Sequence, residues 1–279
     1  MPAPDDAALE AASRARVTVI VGAGDTGKTS LAARLAGALA ARGARVAVVD
    51  ADVGQSEVGP PTTVGLGRVA GPLTRLGEAE VLALEFVGDT SPVRHIRETS
   101  DAAGRLVRRA LAAGFERVIV DTGGLVQGGL GLALKRAKLR AVDPDVVLVV
   151  QRRDESEALA RALEGAPRPA VIRIAASPAA VRRTPARRRE HRSGALRAYF
   201  ARAHTVAIDT ARVPLLARRG ERLQDVAVDT LLGVRDETGE TVGIARVRSI
   251  EGAGRMRIET PVPADRIAAL VPGRAIWSD

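Results

Sequence analysis

The chain has 279 residues, of which 46% are hydrophobic and only 2% aromatic, and its formal net charge is +9. That length suits one large domain, or a medium domain with a small appendage, around a core of Ala, Val, Leu and Ile. The absence of cysteine excludes disulfides, thiol catalysis and Cys-ligated zinc. No run approaches the roughly 20 apolar residues of a membrane span, and no secretion signal is recognisable. We therefore expect a cytoplasmic protein without a membrane partner.

The predicted elements alternate between apolar strands and helices through the first two thirds of the chain. Strands are predicted over 17–21, 45–50, 80–87, 117–121, 145–150 and 170–174, and helices over 31–42, 96–113, 132–142 and 155–163. Residues 55–67 are rich in Gly, Pro and Thr and are expected to be mostly loop. This order predicts an α/β fold, with a mostly parallel sheet flanked by helices and ligands beyond the carboxyl ends of its strands.

The organisation of the chain changes at both ends of this region. Residues 205–279 contain short β-rich runs joined by a hairpin-like turn, which predicts a small C-terminal β-rich domain. Residues 1–16 are expected to form a flexible N-terminal arm, and residues 17–204 the main domain.

Positive charge is concentrated near the end of that main domain. Residues 177–203 contain eight arginines and a single acid, Glu190, and so carry seven of the nine net positive charges. Such clustering favours a phosphate-rich partner more strongly than dispersed charge would. A solvated helix face is the alternative explanation.

The segment between the first strand and the first helix reads GAGDTGKT, which is the G-x-x-x-x-G-K-[ST] pattern of a P-loop. Its glycines let backbone N–H groups turn toward a phosphate at a helix N-terminus. Lys28 is expected to reach the β- and γ-phosphates, and Thr29 to hold Mg²⁺. We predict that ATP or GTP is bound here with Mg²⁺. The predicted nucleotide-binding residues are Gly22, Ala23, Gly24, Asp25, Thr26, Gly27, Lys28, Thr29 and Ser30.

Acidic residues stand at the ends of two further strands. Asp50 and Asp52 are two residues apart on an extended segment and are expected to point the same way. One can bind Mg²⁺ while the other accepts a proton from an attacking hydroxyl. We assign Asp50, with Thr29, to the metal. Asp121, at the end of a third strand, either joins the metal shell or makes a structural hydrogen bond.

These motifs together resemble the P-loop polynucleotide 5′-hydroxyl kinase family, which includes the tRNA-splicing, cleavage-factor and ribosomal-RNA-processing RNA kinases. The resemblance extends over most of residues 17–279 and is most specific where DADVGQ accompanies the P-loop. The matching segments are 22–29, DADVGQ at 50–55, GPPTTVGLG at 59–67, FVGDTSP at 86–92, DTGG at 121–124, RRREHRSGALRAYF at 187–200, GIARVRSI at 243–250 and ETPVP at 259–263.

The resemblance implies an ATP- or GTP-dependent kinase that phosphorylates the 5′-hydroxyl of RNA, with single-stranded DNA as a further substrate. Asp52 would be the general base, and Arg188 with Arg192 would form the R-x-x-x-R pair of a lid over the transferred phosphoryl, within about residues 177–203. The clasp motif that steadies the P-loop lysine reads Thr122-Gly123-Gly124, without the aromatic residue that follows in the family. Gln55, Thr62 and Thr63 are expected to border the acceptor site.

Two other functions are compatible with the same motifs. One is a nucleotide-hydrolysing molecular switch, although the extra lysine that the commonest such proteins carry at the front of the loop is absent. The other is a nucleotide-binding scaffold of an RNA-processing complex, which would not require Lys28, Asp52 and the arginine pair. The sequence does not choose between ATP and GTP, and Gln151 and Arg152 are candidates for the base-binding edge.

Overall fold

The computed structural model describes residues 4–165, 167–217, 225–252 and 254–278. Its helices are α1 (Pro4–Arg14), α2 (Lys28–Ala41), α3 (Ile96–Ala112), α4 (Gly128–Val142), α5 (Glu157–Leu163) and α6 (Pro185–Phe200). Its strands are β1 (Val17–Gly22), β2 (Val46–Ala51), β3 (Thr63–Val69), β4 (Glu80–Phe86), β5 (Arg117–Thr122), β6 (Val146–Gln151), β7 (Ala170–Ala175), β8 (His204–Asp209), β9 (Thr230–Arg235), β10 (Thr241–Gly252), β11 (Arg255–Thr260) and β12 (Ala269–Ile276). None of the described helices is long and apolar enough to cross a membrane.

The described strands form one continuous sheet with a parallel central part. Strands β2, β5, β1, β6 and β7 lie side by side in that order and all run parallel. Antiparallel β3 and β4 extend the sheet beyond β2, and β10, β9 and β12 continue it. The predicted α/β fold with a parallel core is thus confirmed. The carboxyl ends of β1, β2 and β5 meet at one edge, where the predicted site residues lie.

Apolar side chains of the central strands face both layers of helices. Val19 of β1 belongs to a core cluster with residues of α3 and α4, whereas its neighbour Ile20 belongs to a cluster with residues of α1 and α2. This alternation follows from the two-residue period of a strand. Continuous apolar runs such as VTVIV therefore mark strands that are buried on both faces.

Two segments differ from the sequence-based expectation. Within the expected flexible arm, Pro4–Arg14 forms helix α1, because Ala8 and Ala12 on one face are fully buried against the core. Within the expected loop, Thr63–Val69 forms β3. Its Gly65 reads as a loop residue but serves a close approach: a Cβ there would lie 1.8 Å from the carbonyl oxygen of Val58.

Helix α6 connects the P-loop side of the molecule to the C-terminal strands β8–β12. Its last residues Leu196 and Phe200 are buried in a cluster with Leu231, Ile244 and Trp277. Phe200 stacks on Trp277 with ring centroids 5.4 Å apart. The arginines at the other end of the helix are therefore carried by an element that is anchored in the C-terminal part of the sheet.

Candidate active site

The P-loop connects the end of β1 to the start of α2 and depends on glycine at two positions. Gly27, immediately before the helix, has φ of +90°, a conformation that glycine adopts without strain. A Cβ on Gly22 would lie 2.2 Å from the carbonyl oxygen of Val150 on the neighbouring strand. The backbone N–H groups at the start of α2 are thereby presented to the space above the sheet edge, where a phosphate would bind.

A cavity of about 690 Å³ opens above this loop. It is bordered by the P-loop, by the segments that follow β2 and β5, and by the arginine-rich segment 177–203. Its lining includes residues 23–30, Asp52, Gln55, Thr122 and Gly124, together with Arg152, Arg182, Arg183, Arg188 and Arg192. The structure therefore brings the predicted base, the P-loop lysine and the predicted lid pair to one space.

Thr29 and Asp121 form the oxygen pair beside Lys28. The Thr29 hydroxyl donates to Asp121 Oδ2 at 2.6 Å, and the Thr122 N–H donates to Asp121 Oδ1 at 2.9 Å. Burial raises the pKa of Asp121 to about 6, against the opposing charge of Lys28. Burial also lowers the pKa of Lys28, whose Nζ donates to the Ala23 carbonyl at 2.6 Å.

The Asp50 and Asp52 carboxylates differ in burial and in hydrogen-bond partners. Asp50 is 1% exposed, and its Oδ2 accepts the N–H groups of Glu57 at 2.6 Å and Val58 at 3.1 Å. Its Oδ1 accepts the N–H of Asp52 at 3.0 Å. Burial, with the charges of Asp121 and Asp52, raises the pKa of Asp50. Both oxygens of Asp50 thus shape the loop that follows β2, which differs from the expected role as the metal ligand.

Asp52 lies on the cavity wall with one oxygen held by its own loop. Its Oδ1 accepts the N–H groups of Gly54 at 3.1 Å and Gln55 at 3.2 Å. Oδ2 accepts no hydrogen bond from the residues that the structure describes. The carboxylate is therefore fixed in orientation while one oxygen stays available to a ligand.

The clasp residues pack directly on the P-loop and on Asp52. A Cβ on Gly124 would lie 2.5 Å from the backbone nitrogen of Gly24, and one on Gly123 would lie 3.3 Å from Asp52 Cγ. The Thr122 hydroxyl donates to the Ile20 carbonyl at 2.8 Å, so it is engaged within the sheet. Glycines at 123 and 124 allow the clasp, the P-loop and the segment that carries Asp52 to approach one another. The side chain at the aromatic position of the clasp is Leu125, which also lines the cavity.

The arginine-rich segment closes over the P-loop through Asp25. Arg188 donates to Asp25 Oδ2 at 2.6 Å, and the Arg183 N–H donates to the same oxygen at 2.9 Å. Burial acts to raise the pKa of Asp25, but these bonds hold it below its usual value. Gln55 Nε2 donates to the Arg188 carbonyl at 3.1 Å. Arg192, one turn further along α6, is half-buried beside the cavity.

Comparison with known proteins identifies the family. A family model described as the P-loop of the mRNA cleavage and polyadenylation factor CLP1 matches residues 22–202. The chain belongs to this family. The resemblance inferred from its motifs is thereby confirmed, and the loop at 22–29 lies at the start of the matched CLP1-type P-loop domain.

Relatives and solved structures agree with this assignment. A polyribonucleotide 5′-hydroxyl-kinase of Thermococcus kodakarensis is 36% identical over 197 residues, covering 71% of this chain and 55% of the relative. One from Pyrococcus abyssi is 33% identical over 193 residues, covering 69% and 52%. The chain thus spans about half the length of these curated relatives. A chain of the wild-type Clp1p–Pcf11p complex shares the fold, with a TM-score of 0.75 at 16% identity, over 93% of this chain and 74% of that one.

Two predicted acceptor-site residues do not reach the cavity of this CLP1-type domain. Thr62 and Thr63 are both fully buried. The Thr63 hydroxyl donates to the Pro60 carbonyl at 2.7 Å, and Thr62, with φ of +79°, makes a tight turn into β3. The glycines of β3 allow the preceding loop to pack closely on the strand. Both threonine side chains are therefore buried within this loop. Gln55 is the member of this predicted group that lines the cavity.

Arg152, a candidate for the base-binding edge, lines the cavity, and its Nη2 donates to the Asp25 carbonyl of the P-loop at 2.7 Å. Two functional candidates were missed by sequence reasoning. Lys135 and Lys138 lie buried directly beneath the site. Lysine is rare in this chain, which contains three in all. That rarity is the signal that could have marked Lys135 and Lys138.

Proposed function

We propose that this chain is an ATP- or GTP-dependent kinase that transfers the γ-phosphoryl group to the 5′-hydroxyl of RNA. The observation that carries the proposal is the single cavity in which Lys28, Asp52 and the pair Arg188 and Arg192 meet. A switch that only hydrolyses nucleotide needs no base fixed for a second substrate. The names of the curated relatives support the same reaction.

Asp52 is the general base in this proposal. It would accept the proton of the 5′-hydroxyl as the oxygen attacks the γ-phosphorus and the bond to the β-phosphate oxygen breaks. Two backbone N–H groups hold Oδ1, so the carboxylate needs no reorientation when the hydroxyl arrives. Orientation of this kind is a large part of catalysis in phosphoryl transfer.

We assign Mg²⁺ to Thr29 and Asp121 in place of Thr29 and Asp50. A hydroxyl and a carboxylate oxygen 2.6 Å apart beside the P-loop lysine are hard oxygen donors of the kind that Mg²⁺ prefers, with phosphates and water completing the shell. The oxygens of Asp50 already accept backbone N–H groups. The ion would supply charge neutralisation at the β- and γ-phosphates.

The arginines supply the remaining positive charge from the opposite side of the cavity. Arg188 and Arg192 are four residues apart on α6 and therefore lie on the same face of that helix, and both border the space above the P-loop. A planar guanidinium grips phosphate oxygens through two donors at once. We propose that Arg188 leaves Asp25 for the transferring phosphoryl when nucleotide binds.

A transfer assay tests the proposal directly. Purified protein is incubated with γ-labelled ATP or GTP and a 5′-hydroxyl oligoribonucleotide or oligodeoxyribonucleotide, and label is followed into the oligonucleotide and into free phosphate. We expect oligonucleotide labelling that falls roughly 10²-fold or more in Asp52→Asn, with nucleotide affinity retained. Release of phosphate alone, whatever the oligonucleotide, would identify a hydrolytic switch.

Glu80→Gln provides the control for the loss of one carboxylate. The Glu80 side chain is exposed, accepts the Arg68 Nε–H at 2.8 Å and does not line the cavity. We expect this variant to transfer label at close to the wild-type rate. If Asp52→Asn also does so, Asp52 is not the base.

A further inference from the structure

All three lysines of the chain gather beneath the cavity. Of 42 basic residues only Lys28, Lys135 and Lys138 are lysines, and they are 6%, 1% and 1% exposed. Lys28 belongs to the P-loop. Lys135 and Lys138 are three residues apart on α4 and therefore project from the same face of that helix. A chain that uses arginine almost everywhere thus keeps lysine at this one place.

Each of the two α4 lysines ends at a different strand-end loop. Lys138 Nζ donates to the Ala51 carbonyl at 2.8 Å, and Ala51 is the residue between Asp50 and Asp52. Lys135 Nζ donates to the Thr122 hydroxyl at 2.8 Å and to the Gly123 carbonyl at 2.5 Å. One helix thereby contacts both the segment that carries the base and the clasp.

These two loops must be placed accurately relative to each other. A Cβ on Gly123 would lie 3.3 Å from Asp52 Cγ, so there is no room for a side chain between the clasp and the carboxylate. A small shift of either loop would move the base relative to a bound 5′-hydroxyl. Hydrogen bonds from one rigid helix to both loops limit such shifts.

Burial and the neighbouring carboxylates act on the two α4 lysines in opposite directions. Burial lowers the pKa of Lys138 to about 8, while the nearby Asp52, Asp50 and Asp121 act to raise it. Burial likewise lowers the pKa of Lys135. A buried cation costs free energy unless it is paired, and an apolar side chain would fill the same space at less cost. The retention of two buried lysines here therefore points to a task other than packing.

Lysine suits this task better than arginine does. An ammonium group is compact and reaches one or two carbonyl oxygens at the end of a narrow, buried stem. A guanidinium carries five N–H donors in a plane, and most of them would lack acceptors in this enclosed space.

We propose that Lys135 and Lys138 are positioning residues of the phosphoryl transfer. Lys138 holds the segment that carries Asp52, and Lys135 holds the clasp against it. The role rests on the proposed kinase activity, because the segment that Lys138 holds is the one that carries the proposed base.

The test compares Lys138→Met and Lys135→Met with Arg136→Met and Arg140→Met. The two arginines lie on the exposed face of the same helix, so the controls lose the same charge without touching the site. We expect Lys138→Met to lower kcat by roughly 10- to 100-fold, the cost of misplacing a reacting group. Its KM for the oligonucleotide and its nucleotide affinity should stay near the wild-type values, and both controls should retain kcat. Folded Met variants with wild-type kcat would overturn the proposal.

Further variants and amide hydrogen exchange test the same positioning role. If the Met variants do not fold, Lys138→Gln and Lys135→Gln replace them. The Gln amide nitrogen ends one bond short of the Lys Nζ position and does not restore the Lys contacts, so wild-type kcat in these variants would equally overturn the proposal. Amide hydrogen exchange is independent of activity: exchange at Gly54 and Gln55 should accelerate in Lys138→Met and not in Arg136→Met. Unchanged exchange refutes the positioning role. Absence of transfer by the wild-type protein would instead contradict the proposed function alone.

Discussion

The basic residues around the cavity form two layers that differ in burial and in partners. The lower layer is Lys28, Lys135 and Lys138, which are buried and donate to backbone carbonyls. The upper layer is Arg152, Arg182, Arg183, Arg188 and Arg192, which are exposed or half-buried on segments outside the sheet. A buried ammonium that is bonded to the main chain holds its position, whereas a half-exposed guanidinium can exchange one anion for another. Lys135 and Lys138 of the lower layer therefore fix the geometry of the site, Lys28 faces the cavity, and the arginines of the upper layer can change partners when a ligand binds.

The largest effect is expected at the two half-buried arginines of the upper layer. Removing an arginine that stabilises the transferring phosphoryl costs about 10³-fold or more in turnover. Arg192→Ala, and Arg188→Ala with it, should therefore lower kcat sharply with little loss of oligonucleotide affinity. Arg192→Lys should not restore turnover, because an ammonium group lacks the planar arrangement of donors with which a guanidinium binds two phosphate oxygens. Saturation kinetics measure this, with Arg197→Ala on the exposed side of the same helix as the control.

Some features of the fold and of the two layers were predictable from the sequence, and others were not. The P-loop and strands such as β1 and β5 were predictable, because continuous apolar runs and fixed glycine spacing are local signals. The role of Asp50 was not, because alternation along a strand does not tell which backbone N–H groups of a later loop a carboxylate will accept. Lys135 and Lys138 lie on an ordinary-looking helix. Their task depends on contacts with residues 13 and 87 positions away in the chain.

The next effect concerns the anchor that carries the upper layer. Phe200 and Trp277 stack at the far end of α6, and the Arg246 guanidinium lies 4.5 Å from the Trp277 ring centroid. Phe200→Leu removes the ring pair, which contributes about 1 kcal/mol beyond its buried area. We expect a lower melting temperature and a severalfold lower kcat, because the helix start with Arg188 is less well held. Nucleotide affinity should change little, and if kcat is also unchanged, the anchor serves stability alone.

A smaller effect separates binding arginines from the transition-state pair. Arg182 and Arg183 are exposed at the cavity rim, where they can neutralise backbone phosphates of the oligonucleotide. Each such contact contributes about 0.7 to the salt slope of single-strand binding. Arg182→Ala and Arg183→Ala should bind more weakly and with less salt dependence, at nearly normal saturated turnover. Equal losses of affinity in these variants and in Arg188→Ala and Arg192→Ala, without any loss of turnover, would make the whole segment a binding patch.

The smallest effect is expected at Asp25, the acid that lies between the two layers. Its carboxylate accepts a hydrogen bond from Arg188, and the pair is partly exposed, with Arg188 41% and Asp25 11% accessible. Exposed ion pairs contribute about 1 kcal/mol or less, so Asp25→Asn should leave the melting temperature almost unchanged. If Arg188 must leave Asp25 to reach the phosphoryl, the variant should bind nucleotide slightly more tightly and keep its turnover. A loss of turnover as large as that of Arg188→Ala would mean the opposite: Asp25 would then be needed to hold Arg188 in place during transfer, and the upper layer would be as fixed as the lower one.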